Sequence, residues 1–97
     1  MQLQIITPEQ VIFDGEIDAI TLPGKDGEFQ ILNNHAPIVA TLGEGTIKIA
    51  VHESTFKDFD NNSGKVYTSP SQAKTLLFDI KGGTLEMNNN TVIVLAN

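Results

Sequence analysis

Residues Leu22 to Pro37 read LPGKDGEFQILNNHAP and set Gly24 and Gly27 around Lys25, with Asp26, Glu28 and His35 following. Groups of these types could cradle a phosphate, hold a metal, run acid–base chemistry, or shape a surface that grips another protein. A phosphate-binding Walker loop needs two glycines separated by four residues, then Lys-Ser/Thr, at the start of a helix. Here two residues separate the glycines, and Phe29-Gln30-Ile31-Leu32 stands where the helix should begin. The spacing fits a turn in which Gly24 and Gly27 supply positive φ. Asp26 and Glu28 are paired carboxylates, but a turn leaves them solvated, which gives neither the raised pKa an acid catalyst needs.

The other candidates are weaker. In DFDNNSG, Asp58, Asp60 and Asn62 alternate as calcium ligands would. Ser63 occupies the place of the loop glycine, and Ser69 that of the bidentate glutamate. A hairpin turn fits better. His35 and His52 are the only histidines and there is no cysteine, so carboxylates would have to complete any zinc site. No GxSxG elbow supplies an activated serine. No catalytic residue, metal, cofactor or nucleotide site is expected. Shape remains. Pro37 restrains itself and Ala36, and Asn33-Asn34 tolerates a left-handed turn. Rigid loops of this kind suit protein contact, because little ordering is left to be done on binding.

The elements that position these residues are strands. Ile47, Ile49 and Val51 share one side of TIKIAV, and Leu76, Phe78 and Ile80 share one side of TLLFDI. Val92 to Leu95 is apolar on both sides, as in a short strand buried on both faces. In EIDAITL, Asp18 shares a parity with Ile20 and Leu22, which a bulge or an edge position would explain. TPEQ at Thr7–Gln10 has the form of a capping box, yet Gly15 follows too soon for a helix, so a tight turn is expected. Residues 53–74 are polar and read as a hairpin turning at DNNSG or as a loop insertion. The predicted fold is all-β: a flattened β-sandwich of about ten strands without substantial helix, in one domain over residues 1–97.

Bulk composition removes further classes. Twelve acids against six lysines give a net charge of −6, with no arginine. Nucleic acid and anionic membrane surfaces both recruit cations, so neither is an expected partner. The start MQLQIITPEQ has no signal-peptide pattern, and Val92–Ala96, the longest apolar run, is far too short to span a bilayer. The Asn-x-Ser/Thr triplets at Asn61 and Asn89 read as loop chemistry.

Several stretches together resemble a known family. LPGKDGEFQILNNHAPIVATLGEGTIKI is similar to a segment of the epsilon subunit of rotary F-type ATP synthases, called delta in mitochondria. LQIITPEQVIFDGEIDAITLPG and KGGTLEMNNNTVIVLAN fit its opening and its close, so the resemblance covers residues 3–51 and 76–97. The resemblance implies a non-catalytic central-stalk subunit. One side would bind the gamma subunit and the lower end the polar loops of the c-ring, coupling ion translocation to ATP synthesis. It places Asp26, Gly27 and Glu28 in the c-ring-facing loop and His35, Ala36 and Pro37 on the gamma-facing surface. Such a subunit would sit at the cytoplasmic face of a bacterial inner membrane, touching the membrane only through the complex. The family's C-terminal helical pair is missing after Asn97, so inhibition by helix extension and nucleotide binding there are expected to be absent. A free-standing ligand-binding β-sandwich is the alternative, weakened by a single tyrosine and no tryptophan. A cupin-like metalloenzyme would need more histidine.

Overall fold

The computed structural model describes residues 1–58 and 64–97. Ten strands run in chain order: β1 (Gln2–Ile6), β2 (Val11–Glu16), β3 (Ala19–Gly24), β4 (Gly27–Leu32), β5 (Ile38–Leu42), β6 (Gly45–Ala50), β7 (Tyr67–Thr68), β8 (Thr75–Ile80), β9 (Gly83–Asn88) and β10 (Thr91–Ala96). One short helix, α1 (Glu53–Asp58), lies between β6 and β7. The hydrogen-bonded order is β2-β1-β10-β9-β5-β3-β6-β8-β7, with β4 on the other edge of β3. The β3–β5 link is the single pair Gly24 with Leu42. The strands therefore divide into two sheets, β2-β1-β10-β9-β5 and β4-β3-β6-β8-β7, which close over one core as a β-sandwich.

Alternation builds that core. Leu3 and Ile5 of β1, Leu85 and Met87 of β9, and Val92 and Val94 of β10 are buried from the first sheet. Ile20, Leu22, Ile31, Ile47, Ile49, Leu76 and Phe78 meet them from the second. Each such side chain contributes about 1.5–3 kcal/mol of transfer free energy. Among the described residues, no buried side-chain polar atom lacks a partner.

Where parity breaks, the backbone explains it. Asp18 is in neither a bulge nor an edge strand. It lies in the corner where the chain passes from one sheet to the other, after β2 and before β3. Ile17 plugs the core there and donates its N–H to the Met1 carbonyl at 2.7 Å, while the Asp18 N–H reaches the Ala50 carbonyl at 2.8 Å. A bulge does occur, but in β2: Ile5 pairs with Phe13 and Ile6 with Val11, leaving Ile12 unpaired. The extra residue lets Ile12 and Phe13, though adjacent, both point inward. Thr7–Gln10 forms a tight turn; both the Thr7 N–H (2.9 Å) and its hydroxyl (3.2 Å) donate to the Gln10 carbonyl.

The polar segment, read as a hairpin or a loop insertion, is described in part. It opens with α1, and the turn expected at Asp60–Gly64 lies, apart from Gly64, outside the described residues, as do Asp60, Asn62 and Ser63 of the rejected calcium loop. Val66 is buried and anchors β7, which pairs with β8 through Tyr67–Leu77 and Thr68–Leu76. The Tyr67 and Thr46 hydroxyls both donate to Asp79 Oδ1 at 2.8 Å. The Asp79 hydrogen bond, then desolvation, raises the Tyr67 phenol above its ordinary 10.0. A raised folded-state pKa means that this contribution is intact below the unfolded value and is lost as pH rises through the folded one. Tyr67→Phe should therefore lose less stability on going from about pH 9 to about pH 11 than the parent, as read from urea midpoints.

Candidate functional site

The Lys25–Asp26 turn joins β3 to β4 at one end of the sandwich, with Gly24 paired to Gly27. Gly27 has φ 133° and uses the freedom of glycine, as expected. Gly24 does not; it is needed for space, since a Cβ there would lie 2.6 Å from the Gly27 carbonyl oxygen and 2.8 Å from the Phe29 ring. Gly27 and Glu28 already belong to β4, so only Asp26 of the three expected loop residues sits on the turn itself. The Glu28 carboxylate points outward, 3.7 Å from the Lys48 ammonium. At such exposure the pair is worth about 0–1 kcal/mol. The strand following Gly27 removes any helix terminus that could hold a phosphate. Other turns gather at this end. The Gly43 N–H donates to the Pro23 carbonyl at 2.8 Å, Lys81 lies 3.7 Å from Glu44, and the Asn97 N–H reaches the Gly82 carbonyl at 3.1 Å. A cleft of about 600 Å³ opens between the Gly24–Phe29 hairpin and residues 38–41 of β5.

His35, Ala36 and Pro37 lie at the other end of β4, in its loop to β5, and are exposed. β4 has six residues, so the two candidate patches stand about 17 Å or more apart and form separate surfaces. Asn34 takes φ 63°, the left-handed conformation expected of it. His35 Nδ1 lies 2.7 Å from the Ala36 carbonyl. Of the apolar residues of β4, Ile31 is fully buried and Phe29 packs against the core, but Leu32 is largely exposed. His52 is 2.9 Å from Asp18 Oδ1, on the corner between the sheets. Among the described residues no three His, Asp or Glu side chains converge as metal ligands would.

The surface that sequence reasoning missed is the outer face of the first sheet. Leu95 was expected inside a strand buried on both faces, but it is 52% exposed, and Ile93 is only partly covered. Register sets Leu95 beside Ile6, and Ile6 beside Val11, which is 53% exposed. Glu86 lies between Ile93 and Val39, the latter 76% exposed. An apolar strip thus runs across β2, β1 and β10, and Val39 of β5 stands beyond it on the far side of Thr84 and Glu86 of β9. The signal was present in Val92–Leu95, where every residue is apolar; what it marked was a core face and an uncovered face.

Comparison with known proteins gives one family. The family described as ATP synthase, Delta/Epsilon chain, beta-sandwich domain matches residues 1–60. The ATP synthase epsilon chain of Leptospira borgpetersenii serovar Hardjo-bovis is 33% identical over 97 residues, which is 100% of this chain and 61% of that relative. The chain thus spans under two thirds of that relative's length. The ATP synthase epsilon chain of Chlorobaculum tepidum is 36% identical over 93 residues, 96% of this chain and 84% of that one. In the cryo-EM structure of the Euglena gracilis mitochondrial ATP synthase (OSCP/F1/c-ring), one chain superposes with a TM-score of 0.71 at 21% identity. It covers 97% of this chain and 48% of its own length, and supports the same fold.

Proposed function

The chain belongs to the delta/epsilon β-sandwich family of ATP synthases, and from that membership we propose that it is a non-catalytic subunit of the central rotor. In this reading residues 1–97 act as one rigid body between the gamma subunit and the c-ring, passing torque between ion flow and the catalytic subunits. It would work on the cytoplasmic side of a bacterial inner membrane, reaching the membrane only through the complex.

The observation that carries the reading is the apolar outer face of the first sheet: Val11 and Leu95 exposed with Ile6 and Ile93 beside them, and exposed Val39 across the Glu86 position. Exposed apolar surface on an otherwise acidic small protein marks an interaction face, even with the β9 residues Thr84 and Glu86 set within it. Gamma is its proposed occupant, with His35, Ala36 and Pro37 bordering the same interface. Asp26, Gly27 and Glu28, at the opposite end of β4, are the proposed contact with the polar c-ring loops. Two ends with different chemistry, apolar beside one and charged with both signs at the other, suit a body that links two partners.

Co-purification with gamma tests the first contact: a tagged chain that fails to retain gamma rules the reading out. Glu28→Lys tests the second. It sets two ammonium groups side by side on an exposed surface, costing no more than about 1 kcal/mol, so the melting temperature should fall by only a few degrees. Proton pumping driven by ATP in reconstituted enzyme should drop while hydrolysis continues. Normal pumping would remove Glu28 from the coupling contact.

A further inference from the structure

Two asparagine clusters far apart in the chain meet in the fold. Asn33 and Asn34 lie in the β4–β5 loop; Asn89 and Asn90 form the β9–β10 turn. The Asn34 N–H donates to Asn90 Oδ1 at 2.8 Å. Asn90 Nδ2 in turn donates to Asn33 Oδ1 at 2.9 Å. A backbone N–H can only donate, so the first bond fixes which end of the Asn90 carboxamide faces Asn34 and leaves the amide nitrogen for Asn33. The main-chain carbonyl of Asn90 accepts the Gln2 N–H at 3.1 Å. One residue therefore ties the β4–β5 loop, the β9–β10 hairpin and the start of β1 together.

Among the described residues, the hydrogen bonds that reach loop 33–37 from outside β4 and the loop itself come from Asn90. The others are local: the His35 N–H to the Leu32 carbonyl at 3.2 Å, and the His35 ring to Ala36. The loop's far end borders the outer face, where Pro37, Val39, Glu86 and Asn88 line a shallow depression of about 300 Å³. The direction in which the loop leaves β4 decides where Pro37 sits on that border.

We propose that Asn90 is a positioning residue: its carboxamide clamps Asn33 and Asn34 and so presents His35, Ala36 and Pro37 to the partner in a single orientation. The partner assignment rests on the gamma reading above; the clamp does not. An unclamped loop would have to be ordered at the moment of binding, and affinity would fall accordingly.

Asn90→Gly is the informative change. Asn90 and Asn34 both adopt left-handed backbone, with φ 56° and φ 63°. Glycine accepts that conformation freely, so the turn is kept while both side-chain bonds are removed. If Asn90 served only to make the turn, Asn90→Gly would behave as wild type in every measurement. If it clamps the loop, amide exchange at Asn34 should accelerate about tenfold, with exchange in the core strands unchanged. Affinity for purified gamma should weaken about tenfold, as should that of His35→Ala. Unchanged exchange at Asn34 overturns the clamp. So does wild-type gamma affinity in Asn90→Gly alongside a weakened His35→Ala. If both variants bind gamma as tightly as wild type, the loop is not the gamma contact and that reading fails, while accelerated exchange at Asn34 still upholds the clamp.

Discussion

Gly83→Ala is expected to cost about 3–5 kcal/mol and to leave the protein largely unfolded at moderate urea, although a single methyl group is added. A Cβ on Gly83 would lie 2.3 Å from the Leu95 carbonyl oxygen and 3.1 Å from Ala96 Cα. Both obstacles are backbone of β10, which β9 pairs through Gly83–Ala96 and Thr84–Leu95. β10 is also held from its other edge by β1. It cannot retreat without opening a ladder, so no side-chain adjustment relieves the clash. A backbone conformation of φ 157°, rarely taken by L-residues, adds to the cost. Domains of this size are stable by about 5–15 kcal/mol, so the loss is a large share of the total. About 4–8 °C of melting temperature per kcal/mol puts the expected drop above roughly 12 °C. Gly43→Ala is the control. Its nearest neighbour would be 3.8 Å away, an ordinary contact, and its urea midpoint should stay close to the parent's. A Gly83→Ala protein with the parent's midpoint would show that β9 and β10 are not packed as described.

The second large effect separates folding from binding. The double variant Val39→Lys, Leu95→Lys should fold normally and bind gamma at least about a hundredfold more weakly. In the free chain the two side chains are 76% and 52% exposed, so replacing them removes little buried area. Val39 pairs across the strands with Glu86, which gives the new ammonium at that position an opposite charge. Once covered by a partner, the same lysines would bring charge into a desolvated apolar contact, at a cost of several kcal/mol. Circular dichroism and urea unfolding report the first half, and a gamma titration the second. Tight binding by the double variant would move the gamma contact off this face altogether.

What the sequence reveals, and what it conceals, follows from how locally each feature is encoded. Ile47, Ile49 and Val51, like Leu76, Phe78 and Ile80, alternate with more polar neighbours, and each residue type reports its own side of the sheet. The Lys25–Asp26 turn and the left-handed Asn34 are similarly local, so the places where the chain reverses can be read directly. The crossing at Ile17–Asp18 is not local. The change of sheet takes only Ile17 and a bend at Asp18 between two strands, with no glycine or proline to announce it, and only the loss of parity hints at it. Ile12 is hidden for a related reason, since a bulge is visible only against its partner strand. The error at Leu95 is the instructive one for function. Composition shows that a residue is apolar; what covers it depends on the rest of the assembly, and an interaction face resembles a core until the remaining strands are in place. The two candidate patches share this limit: their residues could be picked out, but their separation along β4 came only from the pairing with β3.

β1 pairs with β10 in parallel, and among the described residues every other ladder is antiparallel. Leu3 and Ile5 emerge from the ribosome long before residues 91–96, which form the strand that flanks them on the inner side. During synthesis the β1–β2 hairpin must wait with one edge bare, while the second sheet, whose strands β3, β4 and β6 lie close together in sequence, can assemble around it. Nascent chains should therefore acquire the second sheet first, and the apolar strip across β2, β1 and β10 can exist as a surface only after translation has passed Ala96.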